Sequence, residues 1–155
     1  METLASPSLL LSPSDVRIDR LDVSRYPEIQ ALNLAVFGDS RVIQRLDRDD
    51  LVLLLASVGG EPIGYKVGYR ESASTFYSAK GGVLKAWRKR GVARALLAVL
   101  EQEAKRLGYA RFAYDTFPNK HPGMTVLGLA RGYTITAAGY NAAYRDFRLR
   151  FERDL

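Results

Sequence analysis

The sequence predicts one α/β domain of the mixed α+β kind, and three observations carry that reading. Residues 63 to 70, IGYKVGYR, set Ile63, Tyr65, Val67 and Tyr69 against Gly64, Lys66, Gly68 and Arg70, the two-residue period of a half-buried strand. From Gly91 the period changes: Val92, Leu96, Val99, Leu100, Ala104 and Leu107 fall on one helical face, closed by Lys105, Arg106 and then Gly108. A chain of 155 residues, 47% hydrophobic and 26% charged, is long enough for one core and has the composition of a soluble globular protein.

In order, a Ser/Pro-rich lead over residues 1–14 is expected to be flexible, and residues 15–155 form the single domain. VRIDRLDV supplies a first strand through Val16, Ile18 and Leu21. Ser24 reads as the N-cap of a helix over RYPEIQALNLAVF that stops at Gly38, and a second short helix is expected from Ser40 to Arg48. LVLLLASV (51–58), a GGEP turn, IGYKVGYR and TFYSAKGGVL (75–84) read as a meander of three strands. Gly81 and Gly82 suggest a bulge or a close backbone approach within the third. After the long helix come a strand ARFAYDTF (110–117), a loop PNKHPG, a shorter helix MTVLGLARG, and strands YTITAAGY and YRDFRLRFE. The last of these places Phe147, Leu149 and Phe151 on one side.

Composition removes several kinds of chemistry. Without cysteine there is no disulfide, thiolate nucleophile or cysteine metal site, and the single histidine cannot build a histidine-rich zinc site. No metal is expected. The apolar patch Leu9 to Leu11 lacks a preceding basic region, so it does not read as a signal peptide, and no apolar run reaches the length of a membrane span. The chain is expected to be cytoplasmic, with no membrane partner. A formal charge of +6 favours acidic partners, but its distribution is more informative than its size.

Five of the positive charges crowd into KAWRKRGVAR, residues 85 to 94, with no acidic residue among them. A glycine turn between a strand and a long helix presents free N–H groups at a helix start, where the macrodipole favours an anion. Cations placed there oppose the dipole and call for another reason, which a bound diphosphate would supply. Neither a Walker A loop nor a GxGxxG fingerprint is present.

GGVLKAWRKRGVARALLAVLEQEAKRLGY resembles the signature region of the GNAT N-acetyltransferases, a strand followed by [RQ]xxGx[GA] and a long helix, with Arg88, Gly91 and Ala93 on the motif positions. NKHPGMTVLGLARGY is similar to that family's second cofactor-contacting region. The resemblance implies a mixed, mostly antiparallel central sheet of six to seven strands flanked by about four helices. Strands TFYSAKGGVL and ARFAYDTF would splay apart to form an acetyl-CoA slot. It implies acetyl-CoA as cosubstrate, its pyrophosphate on the backbone from Arg88 through Lys89, Arg90, Gly91, Val92 and Ala93 to Arg94, and its pantetheine arm along Val83, Leu84 and Lys85. Asn119 matches a position that often holds the cofactor, or it is a turn asparagine.

The implied activity is N-acetyl transfer to a primary amine of a small molecule, peptide or protein by direct attack in a ternary complex, which suits a chain without cysteine. A backbone N–H near Leu84 is expected to polarise the acetyl carbonyl. The family's general acid, a tyrosine four residues before the Gly-Tyr pair at 132 and 133, is replaced by Gly128, which makes room either for close packing or for a bulkier substrate. Tyr77, Tyr114 and Tyr133 are candidate acids, each also readable as core; Asp115 and His121 are candidate bases, also readable as a loop-backbone partner and a solvent-exposed side chain, with ordered water as an alternative relay. Two other readings stand beside this one: a nucleic-acid-binding module using the 85–94 cluster, Trp87 and the nine tyrosines, and an acyl-CoA-binding domain without catalysis. Nucleic acid is disfavoured because the charge sits at one helix start instead of across a face. The terminal strand could offer an edge for a homodimer, and the amine acceptor is not legible.

Overall fold

The structure, a computed structural model, describes residues 15–155; the 1–14 lead lies outside the described residues. Seven strands form one sheet: β1 (Arg17–Leu21), β2 (Val52–Val58), β3 (Glu61–Arg70), β4 (Thr75–Val83), β5 (Arg111–Thr116), β6 (Thr134–Asn141) and β7 (Asp146–Asp154). Their order is β1-β2-β3-β4-β5-β7-β6, and every pairing is antiparallel except β4 with β5. Helix α1 (Tyr26–Phe37) covers one face, and α2 (Val92–Arg106) and α3 (Pro122–Ala130) the other.

Three α-helices therefore flank the sheet among the described residues, where about four were expected. The missing one is Ser40–Arg48, which is irregular. Local bonds outcompete a helix there: Asp39 Oδ1 accepts from the Arg41 N–H at 2.8 Å, and Asn33 Nδ2 donates to the carbonyls of Asp39 and Arg41. Val42 is then fixed in the core under α1. The start of α1 also differs from the expectation. Ser24 does not cap the helix; its N–H is itself bonded by Asp22 Oδ1 at 2.8 Å, capping a 3-10 turn that leads into Tyr26. Gly38 ends the helix as expected, with φ 74°.

Two cores follow from the two faces. Leu21, Ile29, Leu32, Leu53, Leu55, Tyr65 and Val67 pack beneath α1, while Val52, Leu54, Phe76, Leu96, Leu97, Leu100, Phe112 and Phe151 pack beneath α2 and α3. Each fully buried aliphatic side chain contributes about 1.5–3 kcal/mol. Strand β3 is thus covered on both sides, and the half-buried reading of IGYKVGYR is corrected: Gly64, Lys66 and Gly68 face α2 instead of water. The glycines let the layers close, since a Cβ on Gly68 would lie 2.5 Å from Phe76 Cε2 and 3.1 Å from Leu100 Cδ2.

Strand β7 is interior, between β5 and β6, so the sheet edge belongs to β6 and not to the terminal strand. Phe151 of β7 is fully buried, whereas Phe147 is 49% exposed, so only part of the expected apolar side is core. The register slip lies between Val67 and Gly68, opposite Ser78 to Lys80, two residues before the glycine pair. Gly81 and Gly82 serve close approach instead: a Cβ on Gly82 would lie 3.1 Å from the Tyr65 ring and 3.2 Å from that of Phe37.

Candidate active site

Strands β4 and β5 pair over only four residues, from Thr75↔Arg111 to Ser78↔Tyr114. Beyond that point β4 stays with β3 as far as Val83, and β5 stays with β7 as far as Thr116, so a slot opens between them. The bulge in the β3–β4 ladder adds local twist where the divergence starts. This splay was expected.

The free backbone in the slot follows from the ladder. Leu84 N–H donates to Ile63 O at 2.9 Å, so Leu84 is turned toward β3 and its own amide is not the donor sought near that position. Alternation along an antiparallel ladder then points the amides of Val83 and Gly81 into the slot. The Val83 carbonyl on the same side accepts from Arg88 Nε at 3.1 Å, which ties the basic turn to the slot rim. Lys85 lies in a 3-10 turn, Lys85–Trp87, that carries the chain from β4 to α2.

Helix α2 opens at Gly91 with φ 83° and no side-chain cap. Its first backbone bond runs from Ala95 N–H to Gly91 O at 2.9 Å, leaving the N–H groups of Val92, Ala93 and Arg94 without intrahelical partners. Lys89 adopts φ 61°, a conformation that costs a non-glycine residue about 1 kcal/mol or more and so signals a local constraint. Arg90 lays its guanidinium over the Trp87 ring, Cζ 5.0 Å from the centroid, and its NH1 is buried with no hydrogen-bond partner among the described residues. Trp87 is explained by that stack. Open amides, an uncapped helix start and an orphaned guanidinium nitrogen together fit a diphosphate.

At the vertex of the splay, on the α1 face, Tyr77 Oη donates to Asp115 Oδ2 at 2.6 Å, and Arg148 NH2 donates to the same oxygen at 2.9 Å. Burial, and then the Asp115 carboxylate beside it, push the Tyr77 hydroxyl well above its ordinary pKa, so it stays protonated near neutrality. Asp115 and Arg148 open onto a groove of about 670 Å³ bordered by β6 residues from Ala137 to Asn141. Tyr77 and Asp115 are thus brought together beside the slot.

The other candidates are not. Tyr114 is 2% exposed and donates to the Met124 carbonyl at 2.8 Å, which anchors α3. Tyr133 is 4% exposed and donates to Glu101, which also holds Arg131 and lies 3.5 Å from Arg153 NH1. Asn119 Nδ2 and N–H donate to the two oxygens of Asp146, at 2.7 and 2.8 Å, the geometry of the turn asparagine. His121 stands exposed in the same loop, edge-on to Phe37 at 6.0 Å; burial and the Lys120 and Lys80 charges lower its pKa. Gly128 has a packing reason, because a Cβ there would fall 2.0 Å from Tyr114 Oη and 2.7 Å from Phe151 Cδ2.

Sequence reasoning missed Lys66. It is 6% exposed, makes no hydrogen bond with any described residue, and is lowered by burial to about 8, the Glu101 charge opposing. Its side chain lies across Gly81, Nζ 3.3 Å from where a Cβ would be. The glycines flanking it, Gly64 and Gly68, and Gly81 opposite were the available signal. Groups of His, Cys, Asp and Glu able to hold a metal are absent among the described residues, and no described helix is long and apolar enough to cross a membrane.

The acetyltransferase (GNAT) family model matches residues 18–127. Among curated protein sequences there is no significant match. The fold is similar to that of a GNAT family acetyltransferase from Elizabethkingia anophelis with acetyl-CoA bound, at 21% identity and TM-score 0.77, covering 91% of this chain and 99% of that one. It is also similar to the GNAT domain of S. lividans PAT, at 24% identity and TM-score 0.71, covering 90% of each. A third likeness is to the ribosomal-protein-S18-alanine N-acetyltransferase from Escherichia coli, at 12% identity and TM-score 0.75, covering 90% of this chain and 93% of that one.

Proposed function

The chain belongs to the acetyltransferase (GNAT) family, and from that premise we propose that it transfers an acetyl group from acetyl-CoA to a primary amine by direct attack. The single observation that carries this reading is the α2 start: an uncapped helix whose first N–H groups, beside Gly91 at φ 83° and the orphaned Arg90 NH1, open next to the slot. A diphosphate there would offset about half of the charge of Arg88, Lys89, Arg90 and Arg94 and accept from the free amides. Acetyl-CoA supplies the activated thioester.

The chain's own groups divide the remaining work. Val83 N–H, facing the slot, pairs with an extended amide-bearing arm as a neighbouring strand would. Gly81 N–H, two residues deeper, donates to the carbonyl oxygen on which negative charge develops. Asp115, held by Tyr77 and Arg148 at the opening toward the β6 groove, orients a positively charged amine before it loses its proton. The acceptor therefore enters from the α1 face. The domain acts in the cytoplasm.

The test is thiol release from acetyl-CoA with a panel of primary amines, from small polyamines and amino acids to peptide N-termini. Release with at least one amine, dependent on both substrates, supports the reading. Acetyl-CoA binding without release on any amine would mark a binding domain instead.

A further inference from the structure

Lys66 is a buried lysine whose ammonium bonds to none of the described residues. Buried lysines are ordinarily paired, yet this one, 6% exposed on β3, has no hydrogen-bond partner among the described residues. Its neighbours explain where the ammonium goes. Gly81 opposite it on β4 carries no side chain, and the lysine lies over that vacancy with Cγ 3.4 Å and Nζ 3.3 Å from the absent Cβ. Gly81 borders the stretch of β4 that has parted from β5, so the ammonium stands at the wall of the slot, on the face covered by α2.

The charges around it are few. Leu54 on β2 and Gly81 on β4 offer none, and from α2 only Glu101 acts on it. Glu101 is itself engaged by Tyr133 and Arg131, with Arg153 3.5 Å away. The candidate tyrosines are committed as well: Tyr114 to the Met124 carbonyl, Tyr133 to Glu101, and Tyr77, on the other face, to Asp115. A proton donor for a leaving thiolate must be sought elsewhere.

The geometry points to Lys66 as that donor: a catalytic residue whose ammonium faces the coenzyme sulfur and protonates it as the thioester breaks. This rests on the acetyl-transfer reading. In the step, the amine nitrogen bonds to the acetyl carbon, the carbon–sulfur bond breaks with its electron pair on sulfur, and a Lys66 proton completes the thiol. The attacking nitrogen sheds one proton to solvent, and the neutral Lys66 amine regains one from solvent, so the balance closes. An ammonium that burial holds near 8 is close to an ordinary thiol, about 8.5, which suits proton transfer between them.

The test reads the thiol of free CoA bound to the full chain, following thiolate ultraviolet absorbance from about pH 6 to 10. Bound to the wild type, the thiol should ionise about 1 unit or more below free CoA, as an adjacent cation dictates. Lys66→Met, of similar length and apolar, should bind CoA yet lose that shift. Lys66→Arg should keep the shift, because its charge persists, while thiol release falls about 100-fold because a guanidinium does not yield its proton. A bound thiol that ionises like free CoA, or a shift that survives Lys66→Met, overturns the role of Lys66 alone. Failure of the wild type to bind CoA overturns the acetyl-transfer reading and this role with it.

Discussion

Tyr77 and Asp115 stand on strands that are separating, yet the tyrosine hydroxyl donates to Asp115 Oδ2 at 2.6 Å, one residue past the last β4–β5 pair. The bond clasps the vertex of the slot. A hydrogen bond to a charged group is worth about 1.5–3 kcal/mol, so Tyr77→Phe should lower stability by that order in urea unfolding. In a double-mutant cycle with Asp115→Asn the two losses should be less than additive. Additive losses would mean that the clasp contributes nothing.

Gly128 is where a side chain cannot go. Its Cβ would fall 2.0 Å from Tyr114 Oη and 2.7 Å from Phe151 Cδ2, so Gly128→Ala should cost about 1–3 kcal/mol through overpacking. Adding Tyr114→Phe removes the nearest atom and should recover part of the loss. A rise in melting temperature for Gly128→Ala would show that the site has slack, reopening the alternative of room for a bulkier substrate.

Asp146 ties the loop before α3 to β7. Burial raises its pKa, but hydrogen bonds from the Asn119 side chain and from the Phe147, Lys120 and Asn119 amides hold it below the ordinary carboxylate value. The sign follows from the depression. This stabilisation is fully present above the unfolded value of about 3.9 and is lost as pH falls through the lower folded value. The stability gap between wild type and Asp146→Asn should therefore stay constant from about pH 7 to 5 and narrow only in stronger acid. Urea titrations at several pH values measure it; a gap that narrows between pH 7 and 5 contradicts the assignment.

How much of this was legible depends on the range of the forces involved. The long helix and the strand before it were readable because Val92, Leu96, Leu100 and Ala104 repeat at helical spacing and all four are buried. Gly91 and Gly108 were readable because their positive φ angles, 83° and 96°, are a local backbone demand. Residues 40–48 were misread because Asn33, a residue of α1, supplies two of the bonds that keep them irregular. Lys66 was misread as solvent-facing because its burial depends on a helix that begins 26 residues later, and period-two alternation does not report which faces a strand has covered. The terminal strand was found, but its interior place beside β5 is set by long-range pairing and has no local signature.

Calorimetric titration of acetyl-CoA into the wild type and Gly91→Glu tests the central claim most directly. Gly91 holds φ 83° at the uncapped start of α2, and a glutamate there strains the turn and sets a carboxylate where the phosphates would sit. The account predicts saturable binding to the wild type and affinity lower by about 100-fold or more, about 2.7 kcal/mol, for the folded variant. No binding to the wild type, or equal binding to a folded Gly91→Glu, would contradict it.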